Sequence, residues 1–123
     1  MGGATRILLS PRTVGATDGF LGTLTLERGE YVAEQYHPYS DKFLYLVRGA
    51  VIVRVDGNPV HLEADEAVMV RRGARHRIEN AGASEAFLIL SVSPLAPSPE
   101  MGHVDIETPP NPSDPLPKVG GLR

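Results

Sequence analysis

An all-β fold, an antiparallel sandwich or barrel, is predicted by three features of the chain. Short runs between about Gly19 and Ser93 alternate apolar and polar residues with a period of two. Gly, Pro and Asp punctuate those runs at the spacing of turns, and helix-period stretches are absent from this section. A chain of 123 residues with formal charge -3 is one domain, long enough to bury a single core.

The first strand expected in this section is Phe20 to Leu26, where Phe20, Gly22, Leu24 and Leu26 face one way and Thr23 and Thr25 the other. A second begins near Tyr31. Val51, Val53 and Val55 repeat the alternation with Arg54 and Asp56 on the opposite face. Asp56-Gly57-Asn58-Pro59 then breaks it before Val60 to Leu62 resumes, the pattern of a hairpin. Glu66 to Val70, Arg75 to Glu79 and Ala86 to Val92 complete the set. The expected organisation is an N-terminal arm and first strand over 1–18, a barrel over 19–93 and a proline-rich arm over 94–123. Eight of the eleven prolines lie from Pro94 onward, so this arm is expected to be extended and poor in ladder donors. It either lies loosely on the barrel or wraps a second subunit or closes the barrel mouth, with Met101, Val104 and Ile106 as residues to bury.

Composition excludes several chemistries. The absence of cysteine removes disulfides, thiolate zinc sites and a cysteine nucleophile. Scattered Lys and Arg with a slightly acidic balance offer no stripe for a phosphate backbone, so nucleic acid is not an expected partner. No apolar run approaches a membrane span, and residues 1–12 lack the features of a secretory signal, so a soluble cytoplasmic protein is expected.

Candidate chemistry lies on two strands. Gln35 and His37 are two apart and leave one face of the strand that starts near Tyr31. In Arg75-His76-Arg77-Ile78-Glu79-Asn80 the odd positions are charged, which turns His76 to the side of Ile78, the inner one. Two inward histidines with a carboxamide beside one of them point to a shared pocket. His61 and His103 read as surface residues.

Two spaced half-motifs carry a resemblance to the cupin family of antiparallel jelly-roll β-barrels. Gly29, five residues, Gln35-Tyr36-His37, four residues, Lys42, six residues, Gly49 is similar in spacing to the first cupin motif, with Gln35 and Lys42 where His and Glu are usual. Gly73, His76 and Asn80 match the second motif, whereas Asp65 and Arg71 depart from it. Tyr36-His37-Pro38-Tyr39-Ser40, Phe43-Leu44-Tyr45, Ser93-Pro94-Leu95-Ala96-Pro97 and Gly102-His103-Val104-Asp105 further resemble the small single-domain cupins of aromatic polyketide pathways, the group of the tetracenomycin and resistomycin cyclases.

The resemblance implies a protein that promotes aldol-type cyclisation and aromatisation of a poly-β-ketone, with polyketide synthase components as partners and a homodimeric assembly. His37, His76 and Lys42 are the expected catalytic residues. Gln35, His37 and His76 are the expected ligands of a divalent ion such as zinc, nickel or iron, with Asp41 as an alternative carboxylate. Lys42 is repulsive to such an ion, and either works on substrate or reaches the barrel rim to pair with Glu34 or Asp41. A non-catalytic binding cupin and a metal-dependent oxygenase are the competing functions.

Overall fold

The computed structural model describes residues 3–108. Two five-stranded antiparallel sheets face each other, ordered β1-β2-β9-β4-β7 and β10-β3-β8-β5-β6. The strands are β1 Ala4–Leu9, β2 Phe20–Leu26, β3 Tyr31–Tyr36, β4 Asp41–Arg48, β5 Ala50–Val55, β6 Asn58–Glu63, β7 Ala67–Val70, β8 His76–Glu79, β9 Ala86–Ser93 and β10 Val104–Asp105. This is the antiparallel sandwich or barrel expected from the alternation, in the jelly-roll form that the cupin resemblance implies. Inward residues from both sheets make one core, including Leu24, Leu44, Leu46, Val53, Ile78 and Leu88. Each such side chain contributes about 1.5–3 kcal/mol by leaving water.

Turn chemistry sets the register. Asp56 and Gly57 both take positive φ, 49° and 82°, the backbone of a two-residue hairpin turn, and β5 and β6 pair in register from Val55↔Asn58 to Ala50↔Glu63. At Gly49 a φ of 93° joins β4 to β5, and a Cβ there would lie 2.8 Å from the Ala86 Cα and the Glu85 carbonyl oxygen. Only glycine fits that crossing. Asp65 keeps a left-handed φ of 72° where the motif carries glycine, and the Tyr45 hydroxyl donates to its carboxylate.

Three elements go beyond the sequence expectations. The strand β4, between β9 and β7, hides its period because both faces are apolar in Phe43-Leu44-Tyr45-Leu46-Val47; Leu44 and Leu46 are buried, and Phe43, Tyr45 and Val47 are exposed. A four-residue helix, α1 Pro11–Val14, is too short to show a period. Pro11 opens it, the Ser10 amide donates to Thr13 Oγ1 at 2.9 Å, and Gly15 closes it at φ 70°. The third is in the proline-rich arm, which contributes a 3₁₀ turn at Pro99–Met101 and then β10, whose Val104 and Asp105 pair with Tyr36 and Gln35 of β3.

These two residues lie in the proline-free stretch between Pro99 and Pro109, where ladder donors are available. The arm therefore lies against its own barrel as far as Glu107. Met101, Val104 and Ile106 nevertheless stay exposed, contrary to the expectation that they supply its buried contacts; Leu95 and Ala96 do so instead. The prolines from Pro109 to Pro117 lie outside the described residues.

Candidate functional site

A bulge in β3 creates the site. Val32 pairs with Ile78 and Gln35 pairs with His76, so three steps on β3 match two on β8. Without the extra residue, Gln35 would face outward when Val32 faces inward. With it, both are buried, Gln35 at 1% exposure beside a fully buried His76. On β4, Lys42 shares the inward face of Leu44 and Leu46 and is itself 3% exposed. Three strands thus deliver polar side chains into one end of an apolar barrel.

The geometry there is close. Lys42 Nζ lies 3.3 Å from His76 Nε2, and the His37 and His76 rings stack with centroids 5.3 Å apart and planes inclined by 26°. His37, just past the end of β3, has Nδ1 2.8 Å from the Gly102 carbonyl oxygen. A carbonyl only accepts, so Nδ1 of the neutral ring carries the hydrogen and Nε2 holds the lone pair. Although His37 as a residue is half-buried, that Nε2 is shielded from solvent and, among the described residues, has no hydrogen-bond partner; the same holds for Gln35 Nε2. Unpartnered buried polar atoms are costly, and these two, at the same end of the barrel, leave hydrogen-bonding capacity for a ligand.

Burial is the first cause of every titration shift here. It lowers Lys42 from 10.5 to about 8. Burial, then the neighbouring Lys42 charge, lower His37 to about 3 and His76 to about 2. Both imidazoles are therefore neutral at physiological pH, and Lys42 is the group that titrates nearest to it. Among the described residues no carboxylate forms an ion pair with Lys42. The expectation that Lys42 reaches the rim to pair with Glu34 or Asp41 is thereby corrected: its β4 phase is that of Leu44, which turns it into the barrel. Asp41, one residue earlier, faces outward and accepts from the Arg72 amide at 2.9 Å and from the Arg72 side chain. It is no substitute ligand.

Sequence reasoning missed the arm's contribution. His103, expected on the surface, lies with its ring centroid 6.4 Å from that of His37, and Asp105 Oδ1 is 3.4 Å from its Nε2. Arg77 ties this segment down by pairing with Glu107 at 3.0 Å, while Glu107 accepts from the Glu34 amide at 2.7 Å. The only signal in the chain was the tail motif Gly102-His103, 65 residues from its partner His37. His61 is exposed, as expected. Asn80, a matching motif residue, is structural: its Nδ2 donates to the Leu26 and Ser84 carbonyls at 2.9 and 2.8 Å, and its Oδ1 accepts from the Gly82 amide at 3.0 Å.

Gln35, His37 and His76 do not fit a resident divalent ion. His76 Nε2 is engaged by Lys42 Nζ, so an ion bound there would meet an amine where a cupin normally places a carboxylate. Among the described residues no three His, Cys, Asp or Glu side chains are grouped to hold a metal.

An open depression lies elsewhere, on the outer face of the sheet that carries β4, β7 and β9, lined by Phe43, Tyr45, Ala67, Met69, Ile89 and Ser91 among others. It is apolar and, among the described residues, carries no cluster of titratable groups.

The family described as Cupin domain matches residues 22–93. The chain belongs to the cupin family. This cupin is 59% identical over 120 residues to the tetracenomycin polyketide synthase protein TcmJ of Streptomyces glaucescens, a match that covers 98% of this chain and 80% of that protein. It is 48% identical over 108 residues to the polyketide synthase CurC of Streptomyces cyaneus, covering 88% of this chain and 70% of that one. A conserved protein with a double-stranded β-helix domain from Klebsiella pneumoniae is similar in structure, with TM-score 0.71 at 18% identity over 85% of this chain and 84% of that one. A predicted oxalate decarboxylase from Thermotoga maritima gives 0.69 at 21% identity, covering 76% of this chain and 84% of that one. At such identities the two structures speak to the fold alone. The relatives bear out the resemblance to the cupins of polyketide pathways and are consistent with a role in antibiotic biosynthesis. No helix among the described residues is long and apolar enough to cross a membrane.

Proposed function

We propose that this cupin cyclises a poly-β-ketone intermediate, promoting aldol-type ring closure and aromatisation in polyketide biosynthesis. The observation that carries the reading is His37: its Nδ1 hydrogen is committed to Gly102, and its Nε2 lone pair is buried and, among the described residues, unpartnered. Ring closure requires a base to take a proton from a carbon between two carbonyls, a donor to polarise the carbonyl under attack, and a dry chamber to hold the chain. His37 Nε2 serves as the base. The Gln35 amide and Lys42 Nζ are donors for the developing oxyanion, and His76 orients Lys42. His37 returns that proton to the aldolate oxygen, then takes the second proton from the same carbon and gives it to the departing hydroxide, so that water leaves as the ring double bond forms.

The weak basicity of His37 suits this substrate class. A carbon flanked by two carbonyls is far more acidic than an ordinary ketone carbon, so a base weakened by burial still serves when it is close and aligned. Reconstitution with a minimal polyketide synthase tests the reading. Wild type should redirect the aromatic products, and His37→Gln and His76→Ala should each restore the pattern obtained without the cupin. Identical products with and without the protein would leave a binding role, and the relatives' printed names agree with polyketide synthase components as partners. The assembly we read as a homodimer, supported by the exposed apolar face around Phe43, Tyr45 and Met69. Light scattering on Tyr45→Arg, expected to give monomer mass, checks it.

A further inference from the structure

The arm crosses one end of the barrel from sheet to sheet. It leaves β9 at Ser93, which pairs with Asp41 of β4, and enters the second sheet as β10, with Val104 paired to Tyr36 of β3. Residues 94–103 therefore span the gap between the sheets at the end where Gln35, His37, Lys42 and His76 lie. Pro94, Pro97 and Pro99 withhold the amides that would tie this stretch into a ladder.

The two halves of the arm are fastened differently. Leu95 and Ala96 are buried, and the Ser40 hydroxyl donates to the Pro94 carbonyl. Further on, Met101, Val104 and Ile106 are exposed and the fastenings are polar. The Gly102 carbonyl accepts from His37 Nδ1 at 2.8 Å, and the Ile106 amide donates to the Glu34 carbonyl at 2.8 Å. The Glu107 carboxylate accepts from the Glu34 amide at 2.7 Å and from Arg77 at 3.0 and 3.1 Å. Apolar burial resists local opening, whereas hydrogen bonds near the surface exchange for water. The His37 ring held by Gly102 stacks on the buried His76 ring, so arm, His37 and His76 succeed one another inward.

We infer that residues 97–107 are a gate over this end of the barrel, turning on the anchored Leu95-Ala96 and latched shut by Glu107. Gln35 Nε2 and His37 Nε2, which have no partner among the described residues, can serve a ligand only if it reaches them, and the closed arm seals them from solvent. Opening releases β10 from the edge of β3 and Gly102 from His37, and it uncovers none of the apolar side chains of Met101, Val104 and Ile106, which are exposed already. Closure restores the Gly102 bond that fixes the His37 ring, so the step that excludes water also completes the site. Glu107 suits the latch because one carboxylate grips β3 through the Glu34 amide and β8 through Arg77. Its removal loosens the far half of the arm and leaves the anchor and the core alone. The inference goes beyond the cyclase reading: it follows from how the arm is fastened and holds for any polar ligand admitted there.

Amide hydrogen exchange on the wild-type chain, followed by NMR, tests whether the arm opens by itself. The Ile106 and Glu107 amides, both bonded to the Glu34 carbonyl, should exchange at least about a hundredfold faster than those of Leu88 and Leu90 in β9, as a segment that opens locally does. A common rate for arm and core overturns the inference. Diethyl pyrocarbonate, which carbethoxylates neutral imidazoles, tests whether that opening exposes the interior. Labelling of His37 and His76, located by peptide mass spectrometry, should be about tenfold faster in Glu107→Ala than in wild type, the loss expected of hydrogen bonds to a charged acceptor. The exposed His61 is the internal control and should keep its rate. Unchanged labelling of both histidines overturns the gate, and so does faster labelling of His37 alone, which would show an arm that frays without opening the interior. If thermal melting finds the variant unfolded, the wild-type comparison of arm and β9 exchange decides alone. Neither experiment uses a polyketide, so the two readings fail separately. Synthase products redirected by a chain whose arm and core exchange together keep cyclisation and remove the gate; an opening arm on a chain that redirects no products does the reverse.

Discussion

The two ends of the barrel interior handle buried polar groups in opposite ways. At one end Asn80 is 3% exposed and makes three hydrogen bonds to the backbone, tying the segment after β8 to β2 and to the turn before β9. At the other, among the described residues, Gln35 and His37 leave ring or amide nitrogens without partners, and Lys42 finds only an imidazole. The same strand carries both regimes: on β4, Leu44 and Leu46 pack as core while Lys42, in phase with them, does not. A satisfied buried group holds the fold, and an unsatisfied one stores the capacity to bind. Asn80 and Gln35 are therefore different kinds of residue despite sharing a motif pair and an amide.

The strongest way to break this contrast is to remove the base. His37→Gln should leave the barrel folded and lower the rate of cyclisation by about 10²–10⁴-fold, the usual contribution of a general base, read from single-product formation in the reconstituted synthase. Next in size is the structural end. Asn80→Ala should cost about 2–4 kcal/mol in urea unfolding, because backbone carbonyls of Leu26 and Ser84 and the Gly82 amide lose their partner in a buried setting. Its product pattern per folded molecule should match wild type.

Lys42→Met sharpens the comparison in the other direction. A buried amine without a counter-charge opposes folding while the unfolded chain holds its proton freely, so Met should stabilise by about 1–4 kcal/mol at neutral pH while altering the products. The advantage should shrink with pH. Between about 8, the folded value, and 10.5, the unfolded one, the unfolded wild type binds more protons than the folded protein, so wild-type stability rises through that window and Lys42→Met lacks the rise.

The imidazoles give a smaller, acid-side effect with the same sign. His37 and His76 fall from 6.5 to about 3 and about 2 on folding, so the unfolded chain takes up protons that the native one refuses. Stability present above pH 6.5 is lost as pH falls towards those values, by up to about 1.4 kcal/mol per pH unit for each histidine. The His37→Gln and His76→Gln double variant should show a visibly shallower loss between pH 6 and pH 4 (roughly the middle of that window) in thermal melts. The smallest effect is expected from added zinc, which should leave the melting temperature unchanged because Lys42 faces the ligand atoms. A rise of several degrees would show the chamber to be a metal site after all.

Legibility followed the range of the interactions. β2, β3, β5, β8 and β9 were readable because alternation and turn residues are local: Asp56-Gly57 can close only a tight hairpin, and Gly49 admits no side chain. β4 was not, because a strand with two apolar faces has no period to read. His76 could be turned inward from its charged neighbours alone. His103 could not be placed, because nothing near it in the chain records the Arg77–Glu107 and β10–β3 contacts that bring the arm back over His37.

By itself, then, the amino-acid sequence determined an antiparallel β-barrel through its alternation and, through motif spacing that resembles cupins, the grouping of Gln35, His37, Lys42 and His76, since a period of two and the demands of positive φ are properties of each short segment. Tertiary structure decided what those residues are. The one-residue bulge in β3 turned Gln35 inward, the phase of β4 aimed Lys42 at His76, and a carbonyl from the arm chose which nitrogen of His37 carries its hydrogen. Each depends on atoms brought together from distant segments, and charge, tautomer and desolvation respond to those atoms and not to the order of residues along the chain.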